Sequence, residues 1–137
     1  MTTYKGGCMC GAIRYEIAGE PMLAGNCHCR DCQKASGGGS AAVAVFPKAN
    51  AKFLKGEAKY YTVAADSGRK ISRGFCPNCG APVFSKLEML PDAIVIKASS
   101  LDDPGLYKPT MHLYTASAQP WDTLPDDGLA RFPKMPE

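Results

Sequence analysis

A mainly β fold, made of short antiparallel strands with turn-rich connections, is what the sequence predicts. Three observations carry this. Short runs of alternating or β-branched residues recur at close spacing. Fourteen glycines and 11 prolines in 137 residues exceed the ordinary share of about 12% and punctuate those runs. No segment keeps a helical period for long.

The elements follow in order. Residues 12–18 alternate, with Ile13, Tyr15 and Ile17 on one face, and read as a strand that Gly19-Glu20-Pro21 ends. Residues 22–26 lead a second strand into a cysteine-rich turn. Residues 29–36 suit two helical turns, halted by Gly37-Gly38-Gly39. Residues 40–46 form a buried strand that Pro47 ends. Residues 53–56 and 59–63 are strands flanking a Gly56-Glu57-Ala58 turn, and Asp66-Ser67-Gly68 is a further turn. Residues 69–75 run into Cys76-Pro77-Asn78-Cys79. Residues 87–90, before Pro91, are ambiguous between helix and strand, and residues 93–98 are a β-rich run. From Pro120 onward the chain is proline-rich and aperiodic. It is expected as an extended tail laid over the surface, with Trp121 packed on the core as its anchor.

The length fits one domain, residues 1–137, at the usual size of roughly 100–200 residues. The chain is 45% hydrophobic and 21% charged, which excludes disordered and fibrous classes. Residues 41–47, the longest apolar stretch, fall far short of the ~20 a membrane span needs. The first residues lack the apolar core of a signal peptide, so a cytoplasmic location is expected. Net charge is +3 and the pI is near 8.5, mildly basic. Cations concentrate at Lys48, Lys52, Lys55, Lys59, Arg69, Lys70 and Arg73. These read as solvated strand faces, or as a basic rim for a small anion. No aromatic interleaving supports nucleic-acid binding.

Seven cysteines, an odd number, preclude complete disulfide pairing, and a reducing compartment disfavours disulfides. They fall into three tight groups: Cys8/Cys10, Cys27/Cys29/Cys32 and Cys76/Cys79. Such grouping brings several thiolates onto one metal ion. Cys76-Pro77-Asn78-Cys79-Gly80 has the form of a zinc knuckle, with Pro77 setting the turn and Gly80 free to adopt positive φ. A thioredoxin-like redox role for this C-x-x-C requires a following helix. Pro82 and the strand-like residues after it argue against one.

Structural zinc takes four ligands. Pairing Cys8 and Cys10 with Cys76 and Cys79 gives a closed four-sulfur site and leaves Cys27, Cys29 and Cys32 as a three-sulfur set. That division uses every cysteine, whereas pairing Cys76/Cys79 with two of the triplet strands one sulfur. Three protein ligands leave a fourth position for water or substrate, and a soft thiolate shell favours an incoming sulfur. The alternatives stay open at this level: His28 or His112 completes the triplet and makes it structural, or His112 lines a pocket or is simply buried. Gly37-Gly38-Gly39-Ser40 lacks the phosphate-loop pattern and reads as a turn beside the second site. No Ser/His/Asp nucleophile motif occurs, and no acid–base residue is assigned.

Gly7-Cys8-Met9-Cys10-Gly11-Ala12-Ile13-Arg14-Tyr15, Cys27-His28-Cys29-Arg30-Asp31-Cys32 and Gly74-Phe75-Cys76-Pro77-Asn78-Cys79-Gly80 together resemble the three motifs of glutathione-dependent formaldehyde-activating enzymes. Residues 100–104, 109–114 and Pro120-Trp121 resemble later segments of that family. The resemblance implies an Mss4-like β-tent with a structural zinc on Cys8, Cys10, Cys76 and Cys79. It implies a second, catalytic zinc on Cys27, Cys29 and Cys32. It also implies a carbon–sulfur lyase that joins or cleaves a thiol–aldehyde adduct such as S-hydroxymethylglutathione. The expected partners are a small thiol such as glutathione and an aldehyde, with neither nucleic acid nor membrane. A competing expectation is a non-catalytic zinc module that binds protein on the same fold. A methionine sulfoxide reductase, a third option, needs a free nucleophilic cysteine, and the metal sites use all seven.

Overall fold

The computed structural model describes residues 1–136. Among them are eleven strands in two sheets and one α-helix. In chain order they are β1 (Thr3–Gly7), β2 (Arg14–Ala18), β3 (Leu23–Cys27), α1 (Arg30–Ser36), β4 (Ala41–Pro47), β5 (Ala51–Lys55), β6 (Lys59–Ala64), β7 (Lys70–Phe75), β8 (Pro82–Leu87), β9 (Leu90–Lys97), β10 (Met111–Leu113) and β11 (Ala130–Arg131). The small sheet has the order β1-β2-β5. The large one runs β11-β10-β3-β4-β9-β8-β7-β6. The mainly β expectation holds. Most pairings are antiparallel, but β10 lies parallel to both β3 and β11.

Local chemistry explains most boundaries. Cys29 caps α1, its sulfur accepting from the Cys32 N–H, and Gly37 closes the helix by donating to the Gln33 carbonyl at 2.9 Å. The ambiguous residues 87–90 resolve into a tight hairpin in which Leu87 pairs with Leu90. The two strands flanking Gly56 do not pair with each other. β5 pairs with β2, β6 pairs with β7, and the turn carries the chain from one sheet to the other.

Alternation sorts the large sheet into two faces. Ala44, Phe46, Ile94 and Ile96 face Tyr4, Tyr15 and Ile17 of the small sheet and form the main core. Each large apolar side chain buried there contributes about 1.5–3 kcal/mol. The alternate residues, Val43, Val45, Ala93 and Val95, form a second cluster with Cys27, Cys32 and Leu113 on the opposite face. No helix among the described residues is long and apolar enough to cross a membrane.

The tail corrects one expectation. Trp121 is 70% exposed and anchors nothing. The tail is held instead by β11 on β10, by Phe132 packed against the second cluster, and by Asp127. A strand partner and a partly buried ring outweigh the indole because the backbone of β10 needs its hydrogen bonds met.

Candidate metal centres

Two turns face each other at the end of the main core. Cys8 and Cys10 follow β1, and Cys76 and Cys79 follow β7. Their four sulfurs all lie within 4.8 Å of one another. The Cys8–Cys10 and Cys10–Cys76 sulfurs are 3.7 and 3.8 Å apart. A tetrahedron of sulfurs about 2.3 Å from a zinc ion has edges of about 3.8 Å, so the donor set fits that ion. The two turns are built alike. Gly11 donates to the Cys8 carbonyl and Gly80 to the Cys76 carbonyl. Both glycines hold positive φ, 81° and 76°, a conformation that strains any residue with a Cβ.

Backbone and side-chain N–H groups already point at these sulfurs. Ile13 N–H donates to Cys8 at 3.2 Å, Asn78 N–H to Cys76 at 3.4 Å, and the Asn78 side-chain amide to Cys10 at 3.3 Å. The Asn78 amide, with a backbone N–H, holds the Cys10 thiol below the usual thiol range. Hydrogen bonds to the charged form are the cause.

The other three sulfurs lie on the opposite face of the large sheet. Cys27 ends β3, Cys29 caps α1 and Cys32 lies in its first turn. Their sulfurs also all fall within 4.8 Å of one another. Hydrogen bonds from Cys27 and Cys29 hold Cys32 well below the usual thiol range, helped by the positive charges of Lys97 and Arg73. The same hydrogen bonds, with burial, push Cys27 up. The sheet-face side of the triplet is therefore electropositive. The Arg73 Nη2 is 3.9 Å from the Cys32 sulfur.

No histidine joins either cluster. His28 and His112 are both buried, and the His28 Nε2 lies 3.1 Å from the His112 Nδ1. The His112 Nε2 is 2.8 Å from Asp127, and burial pushes His28 down. This chain ties the loop of the triplet to β10 and the tail. Gln33, also buried, adds a second tie by donating to the carbonyls of His28 and Ser117. Tyr114, in the left-handed region at φ 55°, packs its ring against the second cluster.

All seven cysteines singled out in the sequence therefore converge, as four and three. Three further residues were missed: Gln33, Tyr114 and Lys97. Lys97 had a visible signal, being the one charged residue in the apolar run Ala93-Ile94-Val95-Ile96-Lys97-Ala98. Of the basic run, Arg73 approaches the triplet, while Lys48 and Lys70 line a separate groove of about 300 Å³ with Lys86.

Residues 3–117 match the family model described as glutathione-dependent formaldehyde-activating enzyme. The chain belongs to that family. A protein of Halomonas elongata, provisionally named a glutathione-dependent formaldehyde-activating enzyme, is 26% identical over 102 residues, which cover 72% of this chain. The match spans 65% of that relative's length. The crystal structure of a Rhodobacter sphaeroides protein superposes with a TM-score of 0.57 at 21% identity, covering 72% of this chain and 87% of that one. That likeness concerns the fold.

Proposed function

We propose that this member of the family, as one domain over residues 1–137, is a zinc-dependent carbon–sulfur lyase. Its reaction is the reversible joining of a thiol and an aldehyde, with S-hydroxymethylglutathione as the adduct to test first. Cys8, Cys10, Cys76 and Cys79 hold a structural zinc, and Cys27, Cys29 and Cys32 hold a second, catalytic one. The observation that carries this reading is the three-sulfur set. Among the described residues no fourth Cys, His, Asp or Glu completes it, and three protein ligands are the mark of a zinc site that keeps a position for substrate.

Zinc bound there supplies a Lewis acid that keeps an incoming thiol ionised. The chain's own residues do the rest. Cys29 and Cys32 are fixed by the first turn of α1, and Cys27 by β3, so the three sulfurs that would hold the ion are kept in place. Gln33 and the His28–His112–Asp127 chain keep the loop from shifting. Of the basic run, Arg73 lies beside the triplet and supplies a cation for a carboxylate of glutathione. A cytoplasmic setting suits seven cysteines that form no disulfide.

The test is cobalt substitution. Added glutathione should raise the sulfur-to-cobalt charge-transfer band, and Cys27→Ala should abolish the rise. The response should weaken with salt, since exposed ion pairs are screened beyond about 8–10 Å near physiological ionic strength. A fully metallated triplet whose spectrum ignores glutathione and every other small thiol is closed, and the chain is then a zinc-held binding module.

A further inference from the structure

Beside the triplet the large sheet carries three polar side chains on an otherwise apolar face. In register, Lys97 lies opposite Val43, Val95 opposite both Val45 and Ser85, and Ser85 opposite Arg73. Arg73, Ser85 and Lys97 therefore project to the same side as Val43, Val45 and Val95, which is the side of Cys27 and Cys32. Lys97 keeps 7% of its surface and Ser85 only 3%.

Neither is used by the fold. The Ser85 hydroxyl is buried without any hydrogen-bond partner. The Lys97 ammonium makes no ion pair with a carboxylate among the described residues. A buried hydroxyl without a partner costs stability, and so does a buried lysine with no carboxylate beside it: burial pushes the Lys97 ammonium down against the pull of the triplet's thiolates. Their positions against the cysteine triplet give the cost a purpose. Three thiolates around a divalent cation leave one negative charge, while Lys97 and Arg73 bring two positive ones. With the triplet so loaded, this side of the sheet is one negative charge short of neutral.

We propose that Lys97 and Ser85, with Arg73, form a cradle for a small oxyanion beside the triplet, and that its occupant in turnover is the oxygen of the thiol–aldehyde adduct. The second half of this statement rests on the thiol–aldehyde reading given above. As the thiolate sulfur adds to the aldehyde carbon, the carbon–sulfur bond forms and the carbonyl π pair moves onto oxygen. The Lys97 ammonium and the Ser85 hydroxyl donate hydrogen bonds to that oxygen. Solvent then returns to the oxygen the proton that the thiol released on ionising, so thiol plus aldehyde gives the hydroxyalkyl thioether with nothing left over. In reverse the oxygen loses its proton to solvent, the carbonyl reforms, and sulfur leaves as thiolate. Preorganised donors aimed at developing negative charge are commonly the largest source of acceleration in such additions.

The test uses carbon-13-labelled formate, the smallest carboxylate, with the cobalt-loaded protein. Paramagnetic relaxation of the formate carbon reports its approach to the metal without any need for turnover. Wild type should relax formate saturably. Lys97→Met, close in shape and uncharged, should weaken formate binding at least tenfold, and Ser85→Ala several-fold. Lys70→Met, in the separate groove, should leave it unchanged. The metal content and cobalt spectrum of each variant show whether its sites persist, and Ser85→Ala decides the matter should Lys97→Met fail to hold metal. Equal formate binding by wild type, Lys97→Met and Ser85→Ala overturns the cradle, as does wild type that does not bind formate. Glutathione's charge-transfer band is read on the same samples. A thiol band without formate binding overturns the cradle and leaves the thiol reading standing. Formate binding without a thiol band upholds the cradle and overturns the thiol reading.

Discussion

Replacing Cys76 by serine should cost the protein most of its stability. The Cys76 side chain is fully buried in the main core, and its sulfur lies 3.8 Å from that of Cys10, 66 positions away in the chain. A cross-link closing a loop of that length restrains the unfolded chain by about 4 kcal/mol on the loop-entropy relation used for disulfides. Structural zinc in small domains contributes about 10–16 kcal/mol of apparent binding energy, against a total stability of about 5–15 kcal/mol for an ordinary domain. Loss of the site should therefore remove at least about 4 kcal/mol and reduce soluble yield. Urea unfolding of parent and variant with one equivalent of zinc per expected site, followed by metal quantification, measures the difference. If Cys76→Ser unfolds within about 0.5 kcal/mol of the parent, the four sulfurs are not a structural metal site, and the argument from their spacing fails.

Cys29→Ser should behave differently, losing about one metal equivalent while the fold survives. Serine is itself a good helix cap, so α1 keeps its start; metal content and circular dichroism check both parts. Trp121→Ala should change stability by less than about 0.5 kcal/mol, as exposed substitutions do. Phe132→Ala should cost clearly more, and parallel thermal melts compare the two. The His112 ring holds the Asp127 carboxyl below its ordinary value of 3.8. A depressed carboxyl adds stability that is complete above the unfolded pKa and is lost as pH falls through the folded one. The stability difference between parent and Asp127→Asn should accordingly be constant above about pH 5 and shrink below about pH 4, read by denaturant unfolding across that range. Asp127→Asn should also lower hydrogen-exchange protection at the Phe132 N–H, which donates to the His112 carbonyl.

The strands that the sequence marked clearly were those with both a periodic run and a hard stop. Ile13, Tyr15 and Ile17 before Gly19 gave β2, and the apolar run before Pro47 gave β4. The cysteine spacing made both clusters legible, because ligands that share an ion must be close in space and four of the intervals are only two or three residues. Pairing partners were less legible. Nothing in Gly56-Glu57-Ala58 distinguishes a hairpin from a crossing between sheets, since both need only a reversal of direction. β1, β10 and β11 went unread, the first for its two glycines and the others because two or three residues carry no period. Trp121 misled because size and apolarity mark what can be buried, while the tail's course was set by the open edge of β10. Lys97 went unweighed because its value lies in neighbours from β4, β7 and β8, which local pattern does not bring together.

The parallel strand β10 has a consequence for how this chain is made. It lies between β3, which precedes it by more than 80 residues, and β11, which follows it in the chain. Until Met111–Leu113 leaves the ribosome, β3 presents a raw edge of unpaired amides, and that edge stops at Cys27. Exposed edges template intermolecular pairing, and here the template carries three thiols at its tip. A chain cut short before Met111 should therefore aggregate through β3 and form mixed disulfides once exposed to air. Holding back metal until translation is complete should have little effect on that outcome, because the missing partner is backbone.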